Sequence, residues 1–246
     1  MKQLENKVAL VTGGSRGIGA SIVTRLAREG ASVAFTYSNG KEKADNLVKE
    51  LLSEGLSVTA FQADNSVQGN VTSAIDQCIS LYGKLDILVN NAGIYIGKPF
   101  EEHTLEDYQQ TMDVNVRAVV EACLTASRKM ESAGRIITIG SCMADRVPFP
   151  QGTLYSMSKS ALIGLTKGLA RDLGHKAITV NLIQPGPVNT DMNPEDGEYS
   201  DAQRNLMAIP HYGKPYHIAA LVGFLAGPDG SYSTGSSFTM DGGTTI

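Results

Sequence analysis

Tyr155 and Lys159 lie four residues apart, in Tyr155-Ser156-Met157-Ser158-Lys159. On a helix that spacing puts both side chains on one face, one turn apart. A free tyrosine titrates near ~10 and shuttles protons poorly at neutral pH. A neighbouring ammonium stabilises the phenolate and lowers that pKa, as would a positive nicotinamide. The pair then serves as general acid toward a carbonyl or general base toward an alcohol. Taken alone, a Tyr–Lys pair is more often a solvated surface pair, so the residues around it decide. Ser141, fourteen positions upstream, offers a hydroxyl to polarise a substrate carbonyl. Asn115 offers an amide to hold a water linking Lys159 to solvent. Chemistry of this kind needs a hydride from a cofactor that the protein orients.

A place for that cofactor follows the first strand. Lys7–Val11 runs into Thr12-Gly13-Gly14-Ser15-Arg16-Gly17-Ile18-Gly19, and a helical pattern begins at once. Bare backbone N–H groups and a helix N-terminus both attract a diphosphate. Gly13 permits the sharp turn, Gly17 lets the diphosphate approach, and Gly19 lets the helix pack close to the sheet. The spacing is G-x-x-x-G-x-G, not the common G-x-G-x-x-G fingerprint. An NAD enzyme places Asp or Glu after the second strand to bind the ribose 2′-hydroxyl. The segment Gly30–Lys41 contains no carboxylate. Tyr37, Ser38 and Asn39 there, with Arg16 in the turn, suit a 2′-phosphate, so NADP(H) is expected. Asp64 follows the third strand, where it can also cap a helix.

The elements that hold these groups alternate. Val8–Val11, Ser32–Thr36, Ser57–Phe61, Asp86–Val89, Arg135–Ile139, Ala177–Asn181 and Ser237–Met240 read as strands, and several are apolar at consecutive positions, so both sheet faces should be covered. Helical spacing fills the intervals, as at Ile18, Ile22, Leu26 and Ala27. Strand–helix alternation over residues 1–246 predicts one α/β domain: a doubly wound Rossmann fold with a parallel sheet of about seven strands and helices on both faces. Its 246 residues suit such a single domain. With 42% hydrophobic and 19% charged residues the chain is ordinary globular material. A net charge of −4 without a basic segment argues against nucleic-acid binding. No apolar run approaches the ~18 residues of a membrane span. The polar start Met1–Asn6 has no signal-peptide pattern, and a cytoplasmic location is expected. Cys78, Cys123 and Cys142 read as reduced, buried thiols. No metal site is expected; His211 and His217 are too sparse, and His103 and His175 read as surface residues.

Thr12–Gly19 resembles the T-G-x-x-x-G-[IL]-G motif of the classical short-chain dehydrogenases/reductases. Later segments agree in order: Asn90-Asn91-Ala92-Gly93 is similar to the family's N-N-A-G, Asn115 to its helix asparagine, Ser141 and Tyr155-x-x-x-Lys159 to its catalytic residues, and Pro185-Gly186 to its later turn. The resemblance covers essentially the full chain and points toward 3-oxoacyl-[acyl-carrier-protein] reductases. It implies an NADPH-dependent ketoreductase with Asn115, Ser141, Tyr155 and Lys159 as catalytic residues. It assigns the dinucleotide to Gly13, Ser15, Arg16, Gly17, Ile18, Gly19, Tyr37, Ser38, Asn39, Asn91, Ala92, Gly93, Pro185 and Gly186. Asp64 and Asn65 would take the adenine end, Val188 and Thr190 the carboxamide and phosphate, and Tyr155 and Lys159 the nicotinamide end, with Lys159 reaching the ribose hydroxyls.

The substrate is less defined. The loop from Ser141 to Tyr155 carries Pro148, Pro150 and Gly152 and is expected to border it. Residues 186–212 read as a substrate lid, with Gln203–Ile209 helical. Reductases serving a carrier protein often have a basic cluster before the fifth strand; here Arg128-Lys129-Met130-Glu131 is diluted by acid, and Arg171 is a second basic candidate. A 3-oxoacyl thioester and a small carbonyl compound both remain open. A second reading is a sensor: Gln184–Pro187, Thr190-Asp191, Asn193-Pro194 and Asp145-Arg146 resemble a branch described as cyclic-di-GMP-binding biofilm-dispersal mediators. Apolar and small residues on more than one face of Thr104–Lys129 and Thr153–Leu173 predict a homotetramer, with a second interface at Ser237–Met240 and Asp241–Ile246.

Overall fold

Branched side chains in continuous runs fit a pleated surface buried on both faces, and these runs form the strands. In the computed structural model, which describes residues 2–246, Met1 of the polar start lies outside the described residues. The strands are β1 (Val8–Val11), β2 (Ser32–Tyr37), β3 (Val58–Gln62), β4 (Ile87–Asn90), β5 (Arg135–Ile139), β6 (Thr179–Pro185) and β7 (Ser237–Met240). They form one seven-stranded sheet in the order β3-β2-β1-β4-β5-β6-β7. Every neighbouring pair is parallel. The order reverses between β1 and β4, and in sheets of this kind the crevice that takes a ligand lies at that reversal, beyond the carboxyl ends of the strands. The register centres on β1: Leu10 lies opposite Ala34 on one side and Leu88 on the other.

The helices are α1 (Gly17–Arg28), α2 (Lys41–Ser53), α3 (Asn70–Tyr82), α4 (Leu105–Met112), α5 (Ala118–Lys129), α6 (Thr153–Leu173), α7 (Ser200–Arg204) and α8 (Pro215–Ala226). Alternate residues of β1 face opposite ways. Ala9 and Val11 join Ile22 and Leu26 of α1 and Val222 of α8. Val8 and Leu10 join Ile75 of α3, Ala122 of α5 and Leu162 of α6. The two cores hold the sheet rigid beneath the crevice. No helix among the described residues is long and apolar enough to cross a membrane.

Several expectations need correction. The single helix expected over Thr104–Lys129 is broken at Asp113–Arg117 by a π turn, closed by the Ala118 N–H on the Asp113 carbonyl. The sixth strand starts at Thr179, after Ala177 in a left-handed conformation (φ 55°), and runs on to Pro185. The lid helix is α7, N-terminal to the expected Gln203–Ile209. Coverage on both faces holds for β1, β4 and β5, whereas the edge strands β3 and β7 are partly open. The His103 side chain is only 4% exposed, so it is not a surface residue. All three cysteines are free and buried.

Candidate active site

Beyond β1 the backbone takes left-handed conformations at Gly13 (φ 66°) and Gly17 (φ 54°), which glycine adopts without a Cβ penalty. Two neighbouring strands hold this turn. Thr36 of β2 accepts the Gly13 N–H through its hydroxyl at 3.1 Å and the Gly14 N–H through its carbonyl at 2.8 Å. Asn91, after β4, donates from Nδ2 to the carbonyls of Thr12 (2.9 Å) and Gly13 (3.0 Å). The Thr12 hydroxyl in turn accepts the N–H groups of Asn91 (3.0 Å) and Ala92 (3.1 Å). The Asn91 amide therefore supports the turn. A Cβ on Gly19 would stand 2.6 Å from Asn91 Nδ2, and one on Gly13 3.0 Å from Ala92 Cα. The cradle fits a dinucleotide diphosphate: its backbone is bare, the N-terminus of α1 follows, and the first turn of α1 carries no acid.

At the adenosine end, Ser38 and Asn39 are exposed on the rim, while Tyr37, 8% exposed, packs into the core beneath them. Arg16 is exposed and lies 3.6 Å from Asp191 Oδ2. Lys43, on the first turn of α2, reaches the same oxygen at 2.6 Å. Lys43 was not singled out from the sequence, because only the fold brings α2 beside the turn. Asp64 does not cap a helix. It accepts from the Ser66 N–H and hydroxyl, both at 2.8 Å, and Gly69 precedes α3 instead. Asn65 is buried, and its carbonyl accepts from Arg117 at 3.3 Å.

The π turn places Asn115 between three elements. Its Nδ2 donates to the Ile94 carbonyl and to Ser158 Oγ, each at 3.0 Å, and its Oδ1 accepts the Ile94 N–H at 2.9 Å. Ser158, another residue sequence reasoning passed over, donates to the Tyr155 carbonyl at 2.7 Å. A π turn widens the helix by one residue, a device found at functional positions. Lys159 is 4% exposed, and its Nζ donates to the Ile139 carbonyl at 3.1 Å. Burial pulls its pKa down to about 8. A Cβ on Gly93 would stand 3.3 Å from both Lys159 Nζ and Asn115 Oδ1, so glycine keeps this junction open.

Lys159 Nζ lies 5.6 Å from the centre of the Tyr155 ring. The lowered tyrosine pKa expected from that ammonium is not produced by the protein groups alone. Burial pushes Tyr155 up to about 12, with the Ser141 hydroxyl pulling the other way. Desolvation outweighs the partner here, and a further positive charge in the crevice is what would bring the phenol down. Ser141 accepts the Met143 N–H at 3.2 Å, which leaves its own proton to donate. Tyr95 lies edge-on to Tyr155, ring centres 5.2 Å apart, a contact the sequence did not announce.

The segment after β6 crosses this crevice. Gly186 leans on Asp241, where a Cβ would stand 2.6 Å from its Cα. Val188 is buried and bridges Gly213. Thr190 lies over the glycine turn: a Cβ on Gly17 would stand 3.3 Å from its methyl carbon. The same stretch is pinned by Gln203 and Tyr212 on Asn193, and by Lys214 on Glu195.

A family model described as short chain dehydrogenase matches residues 7–200. The chain belongs to the short-chain dehydrogenases. A solved short-chain dehydrogenase from Burkholderia cenocepacia J2315, in complex with NADP, is 50% identical to it, with a TM-score of 0.98 over 99% of this chain and 100% of the other. A cyclic-di-GMP-binding biofilm dispersal mediator protein from Escherichia coli K12 is 41% identical over 98% of each chain. A hydroxynaphthalene reductase from Aspergillus fumigatus is 37% identical, covering 96% of this chain and 91% of its own. This short-chain dehydrogenase is an NADP(H)-dependent oxidoreductase, in keeping with the carboxylate-free segment after β2.

Proposed function

We propose that the enzyme reduces a ketone to a secondary alcohol, with Tyr155 as the general acid. The observation that carries this reading is the constellation of half-buried Tyr155 with buried Lys159, Ser141 and Asn115 at the carboxyl ends of the strands. When bound, NADPH supplies the hydride to the carbonyl carbon. Ser141 donates a hydrogen bond to the carbonyl oxygen and Tyr155 delivers the proton to it. Lys159 steadies the resulting charge on Tyr155, and Asn115 holds the path by which the proton is restored. Arg16, Lys43, Ser38 and Asn39 would hold the 2′-phosphate, and residues 186–212 would serve as the lid.

The substrate belongs to the ketones or 3-oxoacyl thioesters. Lys129 is tied to Asp76, and Glu131 follows it, which thins the basic surface available to an acidic carrier protein. Free ketones are therefore the first compounds to try, aromatic ones included, given the hydroxynaphthalene reductase among the relatives. We also read the enzyme as a cytoplasmic homotetramer. A Cβ added at Gly164 or Gly168 of α6 would meet nothing within 4 Å, so that face is free to receive a second copy. The free, buried cysteines suit a reducing compartment.

A second reading, binding of cyclic di-GMP, is favoured by the Escherichia coli relative. Two of the residues behind that likeness are engaged elsewhere: Arg146 donates to the carbonyls of Thr244 and Ile246, and Asp191 is held by Lys43. Turnover of NADPH with a panel of ketones and 3-oxoacyl thioesters tests the first reading. Absence of turnover across the panel, together with tight cyclic di-GMP binding, would favour the second.

A further inference from the structure

Tyr95 follows the Asn91–Gly93 loop by two residues and stands at the crevice mouth, 39% exposed. Three neighbours fix its ring. The Tyr155 ring meets it edge to face, with an interplanar angle of 80°. The Gly97 backbone lies so close that a Cβ there would stand 2.7 Å from the Tyr95 ring carbon Cε1. The Tyr95 hydroxyl donates to the Gln151 carbonyl at 3.3 Å. Gln151 is a non-glycine residue held in the left-handed region, φ 73°, where a long side chain rarely rests without an external constraint. It closes the loop that runs from Ser141 to the start of α6, two residues before Thr153. The residue that touches the proton donor thus also grips the loop bordering the substrate.

We propose that Tyr95 is a positioning residue for the reduction: its ring sets the orientation of Tyr155, and its hydroxyl holds the 145–152 loop against the crevice so that a bound carbonyl sits between Ser141 and Tyr155. The two parts of the side chain then have separable effects. The ring acts on the proton-transfer step, and the hydroxyl acts on substrate placement. A tyrosine hydroxyl is protonated at neutral pH and able to donate. This inference rests on the reductase reading, and the test separates the two.

Tyr95→Phe keeps the ring contact and removes the tether. It should raise the KM for the ketone by about 5-fold or more, with kcat within about 2-fold of wild type, and should leave NADPH affinity unchanged. The 145–152 loop should also become more readily cleaved by a protease. Tyr95→Leu removes both parts and should lower kcat by at least ~10-fold as well. If the wild-type enzyme turns over no ketone, the reductase reading fails. If it does turn over ketone and Tyr95→Phe leaves KM and loop cleavage unchanged, the positioning role is overturned. A parallel fall in kcat, NADPH affinity and thermal stability in Tyr95→Phe would equally overturn it, because a general packing role would act that way.

Discussion

Replacing Lys159 by methionine should abolish turnover and at the same time make the protein more stable at neutral pH. The folded lysine is 4% exposed and titrates at about 8, against 10.5 for the free side chain. A base with a depressed folded pKa binds its proton more weakly in the native state than in the unfolded one. The penalty is full below the folded value, and stability is regained as pH climbs from about 8 toward about 10.5. At pH 7 that gap corresponds to roughly 3 kcal/mol. Methionine fills a similar volume without charge, but forfeits the hydrogen bond to the Ile139 carbonyl, worth about 1 kcal/mol. The net gain is about 2 kcal/mol, or roughly 4–8 °C in Tm for a chain of this size. Near pH 10 the folded lysine is already neutral, and the gain should shrink to about zero. Differential scanning fluorimetry of both proteins at the two pH values measures this. A lower Tm for Lys159→Met at pH 7, or a gain that ignores pH, would refute the desolvated ammonium.

Tyr155→Phe keeps the ring and should lose at least ~10²-fold in kcat while NADPH titration shows binding retained; near-wild-type turnover would remove Tyr155 from the mechanism. Arg16→Ala should weaken NADPH by about 1.5–3 kcal/mol and NADH much less, read by fluorescence titration of each dinucleotide. Equal losses would make Arg16 a structural residue. Light scattering at micromolar concentration should report four chain masses. A stable, fully active single chain would exclude the interfaces on α6 and β7.

Much of the frame follows from local pattern. Val8–Val11 and Ile87–Val89 are uninterrupted apolar runs that only a strand covered on both faces can bury, and Thr12–Gly19 has the glycines a sharp turn into a helix needs. The four-residue spacing of Tyr155 and Lys159 fixes their shared helix face. The rest depends on contacts distant in sequence. Nothing at Asp113–Arg117, neither proline nor glycine, marks the π turn. Its stabilisation comes from Asn115 bonding to Ile94 and Ser158. The sixth strand carries the buried amides of Asn181, which donates to the Ser233 carbonyl, and Gln184, whose Oε1 accepts from the Thr239 hydroxyl, and both contacts come from residues more than fifty positions away. The upward shift of Tyr155 is not legible in its spacing, which reveals a charged neighbour but not how dry the site is. Lys43 and Tyr95 reach the crevice only through the stacking of elements.

The hydrogen bonds from Asn91 and Ala92 to Thr12 join two motifs nearly eighty residues apart in the chain. During synthesis the glycine turn emerges early, but half of its scaffold arrives only with β4. A nascent chain ending at α3 therefore holds the glycines in order without the shape that cradles a diphosphate. Nucleotide binding becomes available only when β4 docks beside β1, a long-range closure that is slow relative to local helix formation. NADPH, which needs the form with β4 docked beside β1, would therefore favour that form by mass action.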